Sequence, residues 1–468
     1  MANSAAELQQ RLAGILDAHG FQSGADIDER YKCDWEGSRL GEPLAVIRPQ
    51  SPEVVPAVMR VLNELKQPVL VQGGRTGVVH GSIPADGEVV LSLERLNHIE
   101  HLDEESGTAL VQAGVPLQTL QEAATRHGWF FPVDIGARGS ALIGGNIATN
   151  AGGNRVLRYG MMRNSVIGLE AVLADGTVIS RMNGLLKDNV GYDLKQMFIG
   201  SEGTLGVVTR AILQLQPPAK SSHTALIALA QFDDVLRLLK TCRQSFGPSL
   251  TSFEVMWDNY FNFVTQKLKV GQSPFQGNHR FFVLVEVMSF GTRPMAEELE
   301  NTIFEFSEAL GTCDAVVAQS LREATEFWAI RDATGEASMA IAPYAHYDVS
   351  LPHAKMERWV DEIVDAWRKR GASEIQVLGH VGDCNLHLVA GWPGIDDPDM
   401  SRDVTDIIHN SVAAINGSIS AEHGIGLDKK LHFPQNRSEA DVELMRQLKK
   451  TLDPNWILNR GRIFDPPS

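Results

Sequence analysis

The order of apolar and polar positions in the first half of the chain predicts strands and helices in alternation. PLAVIRP and PVLVQ are short apolar runs, which is typical of buried strands. Between these runs, apolar residues recur at helical spacing, and Ser51 and Pro52 stand where a helix would begin. GLEAVLADGTVIS alternates around Asp175-Gly176, which predicts a hairpin that turns at that pair.

A second series of predicted strands and helices starts after Pro217-Pro218, which therefore marks the expected domain boundary. HTALIALA, RFFVLVEVMS and YAHYDVSLP predict strands, and FDDVLRLLKTCRQ and HAKMERWVDEIVDAWRKRG predict helices. Because these elements do not alternate strictly, they favour an α+β domain whose sheet carries helices on one face. The tail DPNWILNRGRIFDPPS is expected to pack back on the body of the protein.

The composition narrows the class of protein. The N-terminal segment has leucines at helical spacing among polar residues, which predicts an amphipathic surface helix and no signal peptide. No apolar run approaches the roughly 18 residues of a membrane span. A net charge of −16 argues against a nucleic-acid partner. The 4 cysteines are far apart, as in a reducing compartment, so we expect a soluble cytoplasmic protein.

Three glycine-rich stretches lie in the first half: VQGGRTGVVHGS, ARGSALIGGNIATNAGGN and IGSEGTLGVV. None has the spacing of a dinucleotide fingerprint or of an ATP phosphate loop. Successive glycines let the backbone turn sharply and present N–H groups to a phosphate. Tight turns alone would explain one such loop, whereas three favour a large flat or phosphorylated ligand.

Two histidines lie in the apolar stretch VLGHVGDCNLHLVAG (377–391), which predicts another hairpin. A turn centred between its Asp and Cys would place His380 and His387 directly opposite each other, with Cβ atoms about 5 Å apart. Two imidazoles at that separation can share a metal ion. From the residues alone, a metal site and a pair of ordinary histidines are equally consistent, because a third ligand must come from elsewhere.

The chain resembles the vanillyl-alcohol-oxidase-type flavoproteins from about residue 30 to 465. In the first half the resemblance rests on GGRTG, on IGGNIATNAGG followed by RYGMMRN, and on GYDLKQMFIGSEGTLGVVT. In the second half it rests on FWAIRD, YDVSLP, GHVGDCNLH, ISAEHGIG and DPNWILNRGRIF. These motifs are most similar to the D-2-hydroxyacid branch, which includes D-2-hydroxyglutarate dehydrogenases, D-lactate dehydrogenases and glycolate oxidase D subunits.

The resemblance implies an α+β fold with a two-subdomain, PCMH-type FAD-binding domain over residues 1–217. A ferredoxin-like α+β substrate (cap) domain would follow over residues 218–415, and a C-terminal segment, 416–468, would pack back on the FAD domain. Some relatives tether the flavin through a histidine in the first glycine loop. The chain has Arg75 there, so non-covalent FAD is implied, although His80 lies close by.

The FAD pyrophosphate is expected on Gly73 to Gly77, and other segments are expected to line the cofactor. The implied cofactor-binding residues are Gly73, Gly74, Arg75, Thr76, Gly77, Gly144, Gly145, Asn146, Thr149, Gly152, Gly153, Glu202, Gly203, Gly206 and Asn459.

The resemblance also implies a divalent metal, most readily zinc, bound by His380, His387 and Glu422. The neighbouring His423 would act as the base, and Arg331 of FWAIRD would bind the substrate carboxylate. In the implied reaction, the hydroxyl of a D-2-hydroxy acid loses its proton to His423. The Cα hydrogen passes as hydride to FAD, which leaves the 2-keto acid.

The substrate site departs from the pattern of the D-2-hydroxyglutarate dehydrogenases at several positions. Gly335, His346 and Val389 stand where those enzymes have Thr, Lys and Asn, and Cys384 replaces a turn glycine. Losing these polar contacts would weaken binding of a second carboxylate. We therefore expect a 2-hydroxy acid with a less charged tail, although His346 can still bind an anion when it is protonated.

Several alternatives stay open at this point. The chain could be a D-2-hydroxyglutarate dehydrogenase proper, or an oxidase that reduces oxygen. Two alternatives belong to other functional classes: a flavin-free metallohydrolase, and a flavoprotein subunit that has no catalytic activity of its own. Relatives imply a homodimer, and the electron acceptor would be an electron-transfer flavoprotein or a quinone.

Overall fold

The computed structural model describes residues 3–395 and 397–467. The chain divides into two compact units. Unit 1 comprises Met1–Gly153, Gly160–Pro218 and Glu422–Ser468, and unit 2 comprises Asn154–Tyr159 and Ala219–Ala421. Within the described ranges, no helix has the length and apolarity that a membrane crossing requires.

The strands and helices are numbered separately along the chain. The strands are β1 (Phe21–Ser23), β2 (Ala45–Ile47), β3 (Val69–Gln72), β4 (Val89–Ser92), β5 (Ile99–Asp103), β6 (Thr108–Gln112), β7 (Val166–Val172), β8 (Val178–Arg181), β9 (Val207–Gln214), β10 (Ser221–Leu229), β11 (Leu250–Trp257), β12 (Phe281–Ser289), β13 (Asp314–Val317), β14 (Tyr344–Ser350), β15 (Glu374–Gly379) and β16 (Asn385–Gly391). The helices are α1 (Ala5–Leu12), α2 (Val55–Glu64), α3 (Leu117–Arg126), α4 (Ile143–Ala148), α5 (Val156–Tyr159), α6 (Met162–Ser165), α7 (Lys195–Phe198), α8 (Phe232–Phe246), α9 (Asp258–Asn262), α10 (Met295–Leu310), α11 (Leu321–Asp332), α12 (Thr334–Met339), α13 (His353–Lys369), α14 (Pro398–Ala414) and α15 (Glu439–Leu452).

Unit 1 contains two sheets around one apolar core. The first has the order β1-β2-β4-β3, with β2, β4 and β3 parallel, and the second is antiparallel with the order β5-β6-β9-β7-β8. A single buried cluster contains residues of both sheets, such as Ile47 and Val111, together with Leu8 of α1. The hairpin predicted at Asp175-Gly176 is confirmed by the pairing of β7 with β8.

The C-terminal tail lies beside β3 within unit 1. The Val69 N–H donates to the Ile457 carbonyl at 2.8 Å, and the Asn459 N–H donates to the Val69 carbonyl at 2.8 Å. These two bonds extend the parallel arrangement at the edge of the first sheet. The edge of β3 is thereby covered, and Asn459 is held next to the first glycine-rich loop.

Unit 2 is built on one antiparallel sheet with the order β13-β10-β12-β11-β15-β16-β14. The elements β10-α8-β11-β12-α10-β13 follow a βαββαβ course with the strand order 4-1-3-2, which is ferredoxin-like. The elements β14-α13-β15-β16-α14 repeat most of that course. The expected α+β class is confirmed, and the second domain has the expected ferredoxin-like topology.

Helices cover both faces of this sheet, so the prediction of helices on one face is wrong. Along β10, Ala225 and Ile227 belong to a buried cluster with α8, α10, α13 and α14. Leu226 and Ala228 belong to another, formed with residues of α9, α11 and α12. A strand that is apolar on both sides requires cover on both sides. We call the second of these the α11 face, because it carries the candidate site.

Candidate active site

The first glycine-rich loop and the N-terminal end of α4 lie against each other in unit 1. A Cβ at Gly73 would lie 3.6 Å from the Gly145 Cα, and a Cβ at Gly74 would lie 2.1 Å from the Ser140 carbonyl oxygen. At Gly77 and Gly145, by contrast, a Cβ would have no described atom within 4 Å. Some glycines therefore allow the two segments to pack closely, and others leave open backbone where a ligand can approach.

The polar groups around these segments fit a polar cofactor such as FAD. Asn146 Nδ2, Gln72 Oε1 and Ser82 Oγ are buried and have no hydrogen-bond partner among the described residues. Buried polar atoms in native proteins are normally paired. A cofactor with phosphate, ribose and ring acceptors and donors would pair them, so the residues present fit the implied group.

Other residues predicted to bind the cofactor bond the protein itself. The Glu202 carboxylate accepts the backbone N–H groups of Ile425 and Gly426, both at 2.7 Å. The Asn459 side chain accepts from the Val71 N–H at 2.8 Å and donates to the Glu202 carbonyl at 2.6 Å. Burial raises the pKa of Glu202, while the two N–H groups favour its charged form. Glu202 and Asn459 thus fix the loops around the open glycines.

The remaining predicted cofactor residues lie in the same unit. Thr149 bonds the Gly145 carbonyl at 3.1 Å, and Gly206 packs against the Phe198 ring. Arg75 and Gly203 have positive φ angles of 60° and 71°. The others that unit 1 contains are Thr76, Gly144, Gly152 and Gly153.

In unit 2, the two histidines of VLGHVGDCNLHLVAG meet on the α11 face, although not in the predicted register. β15 pairs with β16 so that Leu378, not His380, opposes His387. The pairing is shifted because a 3-10 turn over Val381–Asp383 follows His380, so His380 itself begins the turn. The centroids of the two imidazole rings nevertheless lie 5.3 Å apart, and one nitrogen of each ring lies within 4.8 Å of the other.

Glu254 of β11 connects His380 to the arginine that the resemblance assigns to the substrate. Its Oε1 accepts from His380 Nδ1 at 2.7 Å, and its Oε2 accepts from Arg331 Nε at 2.8 Å. All three residues are buried. Burial would raise the pKa of Glu254, but His380 and Arg331 together hold it below its ordinary range. The carboxylate is therefore ionised and can only accept hydrogen bonds.

These bonds determine which nitrogen of His380 carries the proton. A carboxylate accepts and a guanidinium donates, so Nδ1 holds the hydrogen and Nε2 has the lone pair. Arg331 Nη2 donates to Nε2 at 3.1 Å, which agrees with that assignment. A histidine whose other nitrogen bonds a carboxylate is the usual form of a metal ligand. The donor set of His380 and His387 therefore fits a divalent metal.

The other predicted residues have distinct positions. His346 opposes Val389 across β14 and β16, and Val389 lies in the apolar cluster of the α11 face. Glu422 and His423 belong to unit 1, where the Glu422 carboxylate accepts from the Gly153 N–H at 2.9 Å.

Sequence reasoning missed two buried carboxylates of unit 2. Glu254 was one, and Asp348 is the other: it accepts from Asn385 Nδ2 and from the Ala421 N–H, both at 2.9 Å. Asp348 thus anchors the chain directly before Glu422. A single acid inside an apolar strand, as in SFEVMW and YDVS, was the signal that could have found them.

Comparisons with known proteins identify the family of the chain. Residues 218–463 match the family model for FAD linked oxidases, C-terminal domain, and residues 43–181 match the model for the FAD binding domain. The chain is 38% identical over 455 residues to a probable mitochondrial D-2-hydroxyglutarate dehydrogenase of Oryza sativa subsp. indica, which covers 96% of this chain and 80% of the relative. It is 35% identical over 463 residues to D-2-hydroxyglutarate dehydrogenase of Stutzerimonas stutzeri, which covers 98% of each.

A solved structure confirms the fold. The 4-ethylphenol oxidase from Gulosibacter chungangensis matches with a TM-score of 0.75 at 18% identity, over 99% of this chain and 97% of that one. Together with the family models, this likeness confirms the PCMH-type FAD-binding fold expected from the glycine-rich motifs. The chain belongs to the family of FAD-linked oxidases, which are oxidoreductases, and D-2-hydroxyglutarate dehydrogenases are among its relatives.

Proposed function

We propose that the protein oxidises a D-2-hydroxy acid to the 2-keto acid with FAD as hydride acceptor, and that a divalent metal takes part. The observation that carries the proposal is the buried group of Glu254, Arg331 and His380 with His387 beside it. It combines a cation for a carboxylate with two imidazoles for a metal. FAD dependence follows from the family, whereas the metal belongs to the proposal.

The proposed metal ligands are His380, His387 and Glu422, with zinc the first candidate. Two imidazoles and one carboxylate leave coordination positions for a substrate, as a catalytic site requires. When bound, the metal would supply a Lewis acid that lowers the pKa of the substrate hydroxyl, and FAD would supply the acceptor for the hydride.

The side chains of the protein would transfer the proton, bind the substrate and orient the groups that do so. His423 would accept the hydroxyl proton as the general base. Arg331 would bind the substrate carboxylate, for which its guanidinium is suited in both geometry and charge. Glu254 would keep Arg331 oriented and keep the proton of His380 on Nδ1. A bound metal would replace the hydrogen bond from Arg331 Nη2 at His380 Nε2.

The substrate proposed here has a tail less charged than that of D-2-hydroxyglutarate. Support comes from Val389, which is 7% exposed and packs in the apolar cluster of the α11 face, on the strand that pairs with His346. D-2-hydroxyglutarate, the substrate in the names of the relatives, is the second candidate, because a protonated His346 could bind its distal carboxylate.

The roles of the two units and of the partners also belong to the proposal. Unit 1 would hold FAD without a covalent bond, and unit 2 would hold the substrate. An electron-transfer flavoprotein or a quinone would reoxidise the flavin, and two chains would form a homodimer. The four unpaired cysteines favour a cytoplasmic location.

The decisive experiment is anaerobic bleaching of the flavin by a panel of D- and L-2-hydroxy acids, with and without a chelator. We expect bleaching by D-acids alone, and a loss of rate after chelation that added Zn²⁺ restores. His387→Ala should remove most of the rate while FAD stays bound, and His223→Ala, at a half-buried histidine on β10 of the same sheet, is the matched control. An unchanged rate after chelation would contradict the metal role, and bleaching by none of the acids would contradict the substrate class.

A further inference from the structure

A second group of possible metal ligands lies in unit 1. Asp34, Glu36 and His80 each offer one ligand atom, and these atoms all lie within 4.8 Å of one another. Asp34 and Glu36 precede β2, and His80 belongs to the loop that follows β3. One imidazole and two carboxylates form a donor set suited to divalent ions such as Mn²⁺ and Zn²⁺.

The carboxylate of Asp34 is the first reason to see a site in this cluster. Its Oδ1 accepts the N–H groups of Glu36 at 3.0 Å and Ser38 at 2.9 Å. Its Oδ2 has no hydrogen-bond partner in the part of the chain that the structure describes, and the Asp34 side chain is 0% exposed. This oxygen lies 3.9 Å from His80 Nε2. A buried carboxylate oxygen without a donor is costly, and a cation would satisfy it.

The orientation of His80 is the second reason. His80 Nδ1 bonds Asp428 Oδ1 at 2.7 Å, and Asp428 is positioned because the neighbouring Leu427 N–H donates to the Val79 carbonyl at 3.0 Å. Because a carboxylate only accepts, a proton lies on Nδ1, and Nε2 is the nitrogen that faces Asp34. A carboxylate behind a ligating histidine is the common arrangement in metal sites. The His80 side chain is 35% exposed, which leaves a path from solvent.

We propose that Asp34, Glu36 and His80 bind a divalent transition-metal ion, with Asp428 orienting His80. The site shares no residue with the proposed catalytic metal site and does not depend on it. The ion links the segment before β2 to the loop after β3. Through Asp428 it also reaches the loop whose Ile425 and Gly426 N–H groups bind Glu202. Its role is to fix the loops around the first glycine-rich segment.

The test measures Mn²⁺ binding by the chelator-treated full-length chain, with free Mn²⁺ followed by electron paramagnetic resonance. His387→Ala serves as the background, because it removes a ligand of the proposed catalytic metal. We expect this variant to bind one Mn²⁺ per chain and the wild type to bind two. In that background, Asp428→Asn should weaken Mn²⁺ binding by about 10- to 100-fold. Glu36→Gln should weaken it as well, and Asp34→Asn should abolish it.

Two controls keep the result interpretable. Glu36 is exposed, so Glu36→Gln tests the site even if Asp34→Asn fails to fold. Glu42→Gln removes another exposed acid of the same segment and should leave Mn²⁺ binding unchanged. If the His387→Ala chain binds no Mn²⁺, or binds it equally with Glu36→Gln and Asp428→Asn, the proposal is overturned. A wild type that binds only one ion, lost on Glu36→Gln, would instead contradict the catalytic metal.

Discussion

Glu254 and His380 are joined by a 2.7 Å hydrogen bond inside unit 2, and the same carboxylate binds Arg331 through its other oxygen. One buried anion therefore positions both a proposed metal ligand and the proposed substrate cation. Neither contact is available to solvent, since Glu254 is 1% exposed. Because both bond the same carboxylate, a shift of Glu254 would move Arg331 and His380 together.

The first prediction concerns Glu254→Gln. The substitution keeps the shape of the side chain and removes its charge, which leaves Arg331 as a buried cation with a weaker partner. We expect a loss of stability of about 3–5 kcal/mol, because breaking a buried ion pair is costly. Metal affinity should fall about 10- to 100-fold, as for other residues that orient a ligating histidine. Urea unfolding and metal titration would measure the two effects.

Glu286→Gln is the matched control for this prediction. Glu286 is a buried carboxylate on the neighbouring strand β12, where it accepts from Thr251 Oγ1 at 2.8 Å and lies 3.4 Å from Arg155 Nε. It should lower stability without changing metal affinity. Equal metal affinity for both variants and the wild type would show that Glu254 does not orient a metal ligand.

The sequence predicted local features of the site better than its long-range ones. The turn at Asp175-Gly176 was predicted correctly because a two-residue turn fixes the register of its own hairpin. The same reasoning failed at His380, because the 3-10 turn there uses residues that a simple hairpin would have paired. The resemblance found the motif residues, but His380 bonds Glu254, which lies 126 positions earlier in the chain. Such a partner has no local pattern.

The sheet of unit 2 shows a related limit. The apolar runs of β10 and β12 predict strands correctly, whereas the mixed order of elements predicts helices on only one face of the sheet. All nine residues of β12 are buried, so both faces are covered. A continuous apolar run already indicates a strand that is buried on both faces. Which helices cover those faces depends on the topology of the whole unit, so the run does not predict them.

The second prediction separates cofactor contact from fold stability at two glycines. A Cβ at Gly145 meets no described atom within 4 Å, so Gly145→Ala should keep the apoprotein folded. Its free energy of unfolding should equal that of the wild type or exceed it by up to about 1 kcal/mol, since alanine favours helix. Flavin content after purification, measured by absorbance, should fall because the methyl group occupies the space proposed for FAD.

Gly74→Ala is the contrasting variant. Its Cβ would lie 2.1 Å from the Ser140 carbonyl oxygen, so the backbone must move and the apoprotein should lose stability together with its flavin. Full flavin content in Gly145→Ala would show that FAD does not approach that residue.

The third prediction concerns pH. Burial raises the pKa of the Cys242 thiol from 9.0 to about 12. Above pH 9 the unfolded chain loses this proton while the folded chain keeps it, so stability falls as the pH rises. At pH 10 the thiol should cost about 1.4 kcal/mol relative to neutral pH. Urea unfolding at pH 8 and pH 10 should show a smaller decrease for Cys242→Ala than for the wild type.

Cys33→Ala, at a half-buried cysteine of unit 1, is the control for general effects of removing a thiol. It should leave the pH dependence of the wild type unchanged. An identical decrease in stability for Cys242→Ala and the wild type would contradict ionisation of Cys242 as a cause.

The last prediction addresses substrate choice. Val389 lies on the α11 face opposite His346, where an amide could hydrogen-bond a second carboxylate. Val389→Asn should therefore raise kcat/KM for D-2-hydroxyglutarate relative to D-lactate by about 10- to 100-fold, the value of a hydrogen bond to a charged group. The substitution should also lower the free energy of unfolding by about 1–3 kcal/mol, because it buries an amide in apolar surroundings.

Val377→Asn is the control, because it places the same amide on the neighbouring strand but in the apolar cluster on the other face of the sheet. It should cost similar stability and leave the substrate ratio unchanged, whereas an equal shift in both variants would place substrate discrimination outside the α11 face.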